Sequence, residues 1–201
     1  MAMGQDEIAI QHNQTALAID SVHIPTYRNL STLQYRIGQL EEATETLLQF
    51  MQVKPFDNYV YMAYAEIQLE RGKQREAEEA LRFRISSWQN EGIPQQTERL
   101  HAEIPMRLAE ILMNQGRFSE AHHFVDMMEK HAQRSIPKSA DIELWSWRLR
   151  AYILQRQNKP ENVYWANKSA ERCRQYPMDI CRANFSTIQY SSPILGTTPT
   201  K

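Results

Sequence analysis

The residues able to do chemistry are few and scattered. Six histidines occur in 201 residues. His122 and His123 are neighbours, and neighbouring side chains on a helix diverge by about 100°, too far to share a metal ion easily. There is no His-Glu-x-x-His pair and no other ligand set at a metal-binding spacing, so the histidines read as surface residues and no metal site is expected. Neither a glycine-rich phosphate loop nor a Gly-x-Ser-x-Gly elbow is present. The Asp and Glu residues fall on polar helix faces, where solvation accounts for them. No catalytic constellation emerges and no cofactor is called for, so the chain reads as non-catalytic. Cys173 and Cys181 have seven residues between them, which fits neither a zinc knuckle nor a redox Cys-x-x-Cys. Two readings stay open: a disulfide closing the loop through Tyr176 and Pro177, or two reduced, unrelated thiols. Asn13, Asn29, Asn167 and Asn184 each begin an Asn-x-Ser/Thr triplet, and they read as chance matches, three of them inside expected helices.

Composition narrows the classes further. Hydrophobic residues make up 42%, enough for a core, and 23 Lys and Arg stand against 24 Asp and Glu. Without a basic excess, nucleic acid is not an expected partner. No stretch approaches the run of about 18 apolar residues that a membrane helix needs. Met1 to Ile10 is polar and acidic rather than a secretory signal. The chain therefore reads as cytoplasmic, or as an excised, for instance periplasmic, domain whose targeting segment lies elsewhere.

The elements that would position any functional residue follow from a period in the glycines. Tyr35 to Ala43, Leu69 to Ala77 and Met113 to Ala121 share one pattern, in which Gly38, Gly72 and Gly116 are each followed five residues later by Ala43, Ala77 and Ala121. Gly38 to Gly72 is 34 residues, as is Ala43 to Ala77; Gly72 to Gly116 is 44, one period plus ten. Glycine ends a helix in the left-handed conformation at no steric cost. A short turn follows, and a second helix opens with Glu in its first turn, where the helix dipole favours it. Twelve residues before each Ala stand Ser31, Ala65 and Ala109. Small residues on both sides of a crossing let two helices approach closely.

These segments resemble the tetratricopeptide repeat (TPR) family in the Gly and Ala pair, the small residue twelve earlier and the 34-residue period; Pro55, twelve after Ala43, matches its closing proline. Seven residues after the Ala the family usually has a small residue, whereas Phe50, Arg84 and Met128 stand here. The resemblance implies an all-α, right-handed solenoid of antiparallel helix pairs: a half repeat at 6–21, repeats at about 24–55, 58–89 and 102–133, and a degenerate repeat at 144–175 in which Asn158 replaces the turn glycine. The helical array spans 1–190 and 191–201 reads as a flexible tail. A start halfway through a repeat suggests a chain cut from a longer protein, or a single-helix cap. Ser86 to Leu100, with Gly92 and Pro94, is expected to include a loop. Pro105 is expected at a helix start or as a kink, and His131 to Ile142 as a linker.

The resemblance further implies a concave face lined by first helices that takes an extended peptide or a helix. Its register points Arg28, Thr32, Tyr35 and Arg36 into that face, then Tyr59, Met62, Glu66 and Glu70, then Met106, Glu110 and Met113, then Trp145, Arg148, Tyr152 and Arg156. The groove would be basic at its ends and acidic in the middle, with aromatic and Met side chains throughout, a composition enriched at protein interfaces. The family's carboxylate clamp for chaperone tails is not matched, because Arg28, Thr32, Met62 and Glu66 occupy its sites. The expected function is a protein-interaction scaffold with a protein or peptide partner, a second copy of the chain included. The alternative is a TPR-like accessory domain of a bacterial membrane glycosyl-transfer enzyme of the O-antigen ligase or oligosaccharyltransferase type.

Overall fold

The computed structural model describes residues 2–91, 99–134 and 140–174, with side chains for 4–88, 102–133 and 142–174. Among these there are nine α-helices and no strands: α1 (Ala2–Ile19), α2 (Ile24–Arg36), α3 (Leu40–Val53), α4 (Asn58–Glu70), α5 (Gln74–Glu91), α6 (Arg99–Asn114), α7 (Phe118–Arg134), α8 (Ala140–Arg156) and α9 (Asn162–Cys173). They fall into two compact units, the first running to Arg84 and the second beginning at Ile85, within α5.

One turn recurs four times. Gly38, Gly72 and Gly116 have φ of 82°, 73° and 75°, and Asn158 has φ of 55°. At each, the left-handed residue donates to the carbonyl three back and its successor donates to the carbonyl five before itself. The second bond runs Gln39 to Gln34 (2.9 Å), Lys73 to Gln68 (2.8 Å), Arg117 to Leu112 (2.8 Å) and Lys159 to Leu154 (2.9 Å). This pairing satisfies carbonyls that a helix end leaves without partners. It reverses the chain within a few residues, so successive helices lie antiparallel.

In unit 1, α1 packs on α2, α2 on α3 and α3 on α4. The expected crossings are closed: Ala43, Ala77, Ser31 and Ala65 have no exposed surface. Where a small residue is usual, Phe50 fills the space instead, stacked on Tyr27 with ring centroids 5.6 Å apart. Around it gather Tyr35, Leu47, Val60, Tyr61 and Ile67. A second device repeats at the 34-residue period. The Tyr27 hydroxyl donates to the Ser21 carbonyl (3.0 Å), and the Tyr61 hydroxyl donates to the Pro55 carbonyl (2.8 Å). Each tyrosine thereby ties the fourth residue of a helix to the turn before it.

In unit 2, α6 packs on α7, α7 on α8 and α8 on α9, and α6 also meets α8. Ala109 and Ala121 are fully buried at their crossing, and Met128 is buried where the family usually places a small residue. Helix α5 continues through 86–91 and ends directly before Gly92; 92–98, where a loop is expected, lie outside the described residues. The linker placed at His131 to Ile142 is helical at 131–134 and 140–142, and His131 is buried edge-on to Trp88. In the degenerate repeat α9 begins two residues later than the earlier pairs do after their turns. That delay rotates α9, leaving Val163 and Ala170 exposed and Ser169 buried. Pro105 sits inside α6 rather than at its start, where it leaves the carbonyl four residues back without its usual donor. The segment 191–201 lies outside the described residues.

Candidate functional site

The register residues of unit 1 meet on the face shared by α2 and α4. Asp57 is the N-cap of α4; its carboxylate accepts from the Tyr59 backbone N–H at 2.9 Å. It also takes Arg28 at 2.8 Å and Lys54 at 2.9 Å. Burial works to raise the Asp57 pKa, but the hydrogen bond from Lys54 and the charge of Arg28 outweigh it, and the carboxyl titrates below its ordinary value. The carboxylate in turn fixes the Arg28 guanidinium, whose carbon lies 4.8 Å from the centre of the Tyr59 ring, within cation–π range. The Tyr59 hydroxyl lies 3.1 Å from the Thr32 hydroxyl and its ring is 6.3 Å from Phe50. Desolvation raises the Tyr59 pKa above its ordinary value, so the phenol is neutral at physiological pH.

The cluster is rigid but not closed. The Arg28 side chain keeps 42% of its surface exposed, although its Nε is buried. An immobilised guanidinium beside a half-buried ring can receive a carboxylate or a backbone carbonyl and offer apolar contact next to it. Arg36, also on α2, is bound to Asp6 of α1, with its Nε 3.1 Å from the carboxylate. Glu70 is exposed.

Several other register residues do not reach a surface. Tyr35 lies in the core of unit 1, Met62 and Glu66 are buried on α4, and Glu110 and Met113 are buried on α6. The reason is geometric: the register fixes a direction around one helix axis and does not say whether that direction meets solvent or packed side chains. Glu110 is 3.2 Å from Arg107. In unit 2 Met106, Trp145, Arg148 and Tyr152 are half-buried and Arg156 is exposed. Arg148 donates to Cys173 Sγ at 2.9 Å, and desolvation lowers its pKa. Cys173 is disulfide-bonded; Cys181 lies outside the described residues.

Two constellations escaped the sequence reading. One is Asp57 with Arg28, 29 positions apart, for which the Asp-Asn-Tyr helix start was the only local hint. The other joins α8 to α9: Lys168 Nζ lies 4.3 Å from the Trp147 ring centre and 4.6 Å from that of Trp165. Arg150 lies 4.9 Å from the Trp165 ring centre and pairs with Asp126 and Glu129 on α7 at 2.6 and 3.1 Å. Two neighbouring histidines of α7 make side-chain contacts. His122 is half-buried, 3.4 Å from the Gln157 side chain, and desolvation lowers its pKa; His123 stands edge-on to Phe124. Among the described residues no group of three His, Cys, Asp or Glu side chains is placed to hold a metal ion, and no helix is long and apolar enough to cross a membrane.

No family model and no curated protein matches the sequence. Solved structures do match. The crystal structure of MamA is 16% identical over 86% of this chain and 85% of its own, with a TM-score of 0.63. YrrB, described as a TPR protein with an unusual peptide-binding site, is 14% identical over 90% of this chain and 84% of its own, with a TM-score of 0.59. A putative kinesin light chain of Podosopora anserina with nearly identical TPR-like repeats is 18% identical over 86% and 88%, with a TM-score of 0.64. Likeness at this identity speaks for the fold, and with the four matching turns and the closed Ala crossings it makes this chain an all-α helical-repeat solenoid of the tetratricopeptide type.

Proposed function

We propose that the chain is a non-catalytic protein-interaction scaffold that takes a peptide segment on the face shared by α2 and α4. The observation that carries this reading is the Arg28 guanidinium, held by Asp57 over the Tyr59 ring and part exposed. Such a group is pre-organised for a carboxylate or carbonyl of an extended chain, so little entropy is lost on binding. YrrB is a peptide binder by its description, which accords with this reading.

The experiment is calorimetry on a peptide selected from a random display library. Arg28→Ala and Tyr59→Ala are each expected to weaken binding by about thirtyfold, the loss of about 2 kcal/mol that a centrally placed Arg or Tyr contact typically supplies. Glu79→Ala, on the exposed side of α5, is expected to change nothing. A peptide indifferent to both truncations and responsive to Glu79→Ala would place the binding face elsewhere.

The bonded Cys173 favours a second reading, a TPR-like accessory domain exposed to an oxidising compartment, as on a bacterial membrane glycosyl-transfer enzyme. The redox state of the natively isolated protein tests it.

A further inference from the structure

The aromatic rings of the α8–α9 pair gather around a cation. Lys168 Nζ lies 4.3 Å from the Trp147 ring centre, 4.6 Å from that of Trp165 and 5.8 Å from that of Tyr164. Tyr164 and Trp165 precede Lys168 on α9 by four and three residues, the spacing that puts side chains on one face of a helix. Trp147 comes from α8 and is buried. The rings have supports other than Lys168. Arg150 lies 4.9 Å from the Trp165 ring centre and is itself tied to Asp126 and Glu129 of α7. Tyr164 stands edge-on to Trp165, with ring centroids 5.2 Å apart. Lys168 is half-buried and Tyr164 is 60% exposed, so the cluster opens to solvent beside α9.

We propose that Trp147, Trp165 and Tyr164 form a binding site for a trimethylammonium group, a site that Lys168 occupies in this structure. The chain's own cation shows which chemistry the rings take. Ring faces carry negative potential and attract a cation without offering it hydrogen-bond acceptors. A primary ammonium carries three N–H donors and is strongly hydrated, so such a site serves it poorly. A trimethylammonium group has no N–H to satisfy, spreads its charge over its methyl groups and presents an apolar surface to the rings, so it gains more from them. Lys168 can give way, because its four-carbon stem is flexible and its neighbours Asn167 and Ala170 are exposed. Its departure uncovers the ring faces that the ligand then covers. Lys168 is thus a tethered competitor, and it holds the dissociation constant of the intact protein to the order of a millimolar. A small quaternary amine and a trimethylated lysine side chain of a protein present the same head to the site.

Proton NMR titration of the full chain tests the proposal, with choline and N-acetyl trimethyl-lysine amide as probes. A methyl group held over an indole face reports the contact by an upfield shift of its own signal. The wild type is expected to give a saturable shift, and Lys168→Ala is expected to bind about fivefold more tightly because the competitor is gone. That gain separates a site from a merely structural cluster, which would only loosen on losing Lys168. Trp165→Leu, with its fold checked by circular dichroism, is expected to abolish the shift. Tyr164→Ala, at an exposed position, is expected to weaken binding about threefold and keeps the test independent of packing changes at Trp165. The neutral tert-butyl analogue of choline has the same shape without the charge and is expected to bind about tenfold more weakly. The probe held more tightly shows whether the head belongs to a small amine or to a protein side chain. The proposal is overturned if Lys168→Ala gives no saturable shift with either probe. Equal affinities of the wild type and Lys168→Ala, or of choline and its neutral analogue, overturn it as well.

Discussion

At the scale of single residues, Asp57 concentrates several roles in one carboxylate: it caps α4, neutralises Lys54 and holds Arg28 over Tyr59. Asn caps a helix about as well as Asp, so Asp57→Asn isolates the charge. It is expected to cost about 1–2 kcal/mol at neutral pH, since the carboxylate is buried while both cationic partners stay about half exposed and screened. The folded-state pKa of Asp57 lies below its ordinary value. Its contribution is therefore complete above the unfolded-state pKa of about 4 and disappears as the pH falls through the folded value. Thermal melts of the two proteins are expected to differ at pH 7 and to converge as the pH drops well below 4. A gap that persists unchanged in acid would show that the difference does not come from ionised Asp57.

At the scale of helices, close approach at the crossings decides how pairs assemble. Ala77 has no exposed surface where α5 packs into unit 1. Ala77→Leu is expected to overpack that site and destabilise by about 1–3 kcal/mol. Glu79→Leu, two residues along on the exposed face of the same helix, is expected to stay within about 0.5 kcal/mol. Urea unfolding of both variants checks this, and equal midpoints would reject the register of α5. The same sensitivity to register explains α9. Two extra residues after Asn158 rotate it relative to the earlier second helices, and Trp165, clasped between Lys168 and Arg150, packs where a small residue would otherwise sit.

At the scale of the whole molecule, charge is nearly balanced, with 23 Lys and Arg against 24 Asp and Glu and a formal net charge of −1. Arg28, Arg36 and Arg150 each bind carboxylates on other helices or turns. A partner is then selected by a few fixed groups rather than by a broad field. The compartment is a molecular property as well. If Cys173 pairs with Cys181, protein isolated without reductant is expected to weigh about 2 Da less than the reduced chain, one hydrogen per sulfur. Two thiols that alkylate freely would count against both the bridge and the accessory-domain reading.

The repeat was legible in the sequence because its determinants are local. A left-handed residue at Gly38, Gly72, Gly116 and Asn158 is dictated by the chain's own sterics, and the Ala crossings follow from a fixed offset to it. The linker expected from His131 to Ile142 was drawn too wide, because α7 runs on to Arg134 and α8 begins at Ala140. The candidate site was legible only in part. Register named Arg28 and Tyr59 as groove residues, but it could not tell them from Tyr35, Met62 and Glu66, which share the helical phase and are buried. Phase fixes a direction around one helix axis, whereas exposure depends on where the next helix lies. Only the tertiary structure brought Asp57 to Arg28 and Trp165 to Arg150, because each is a relation between residues that the chain itself keeps far apart.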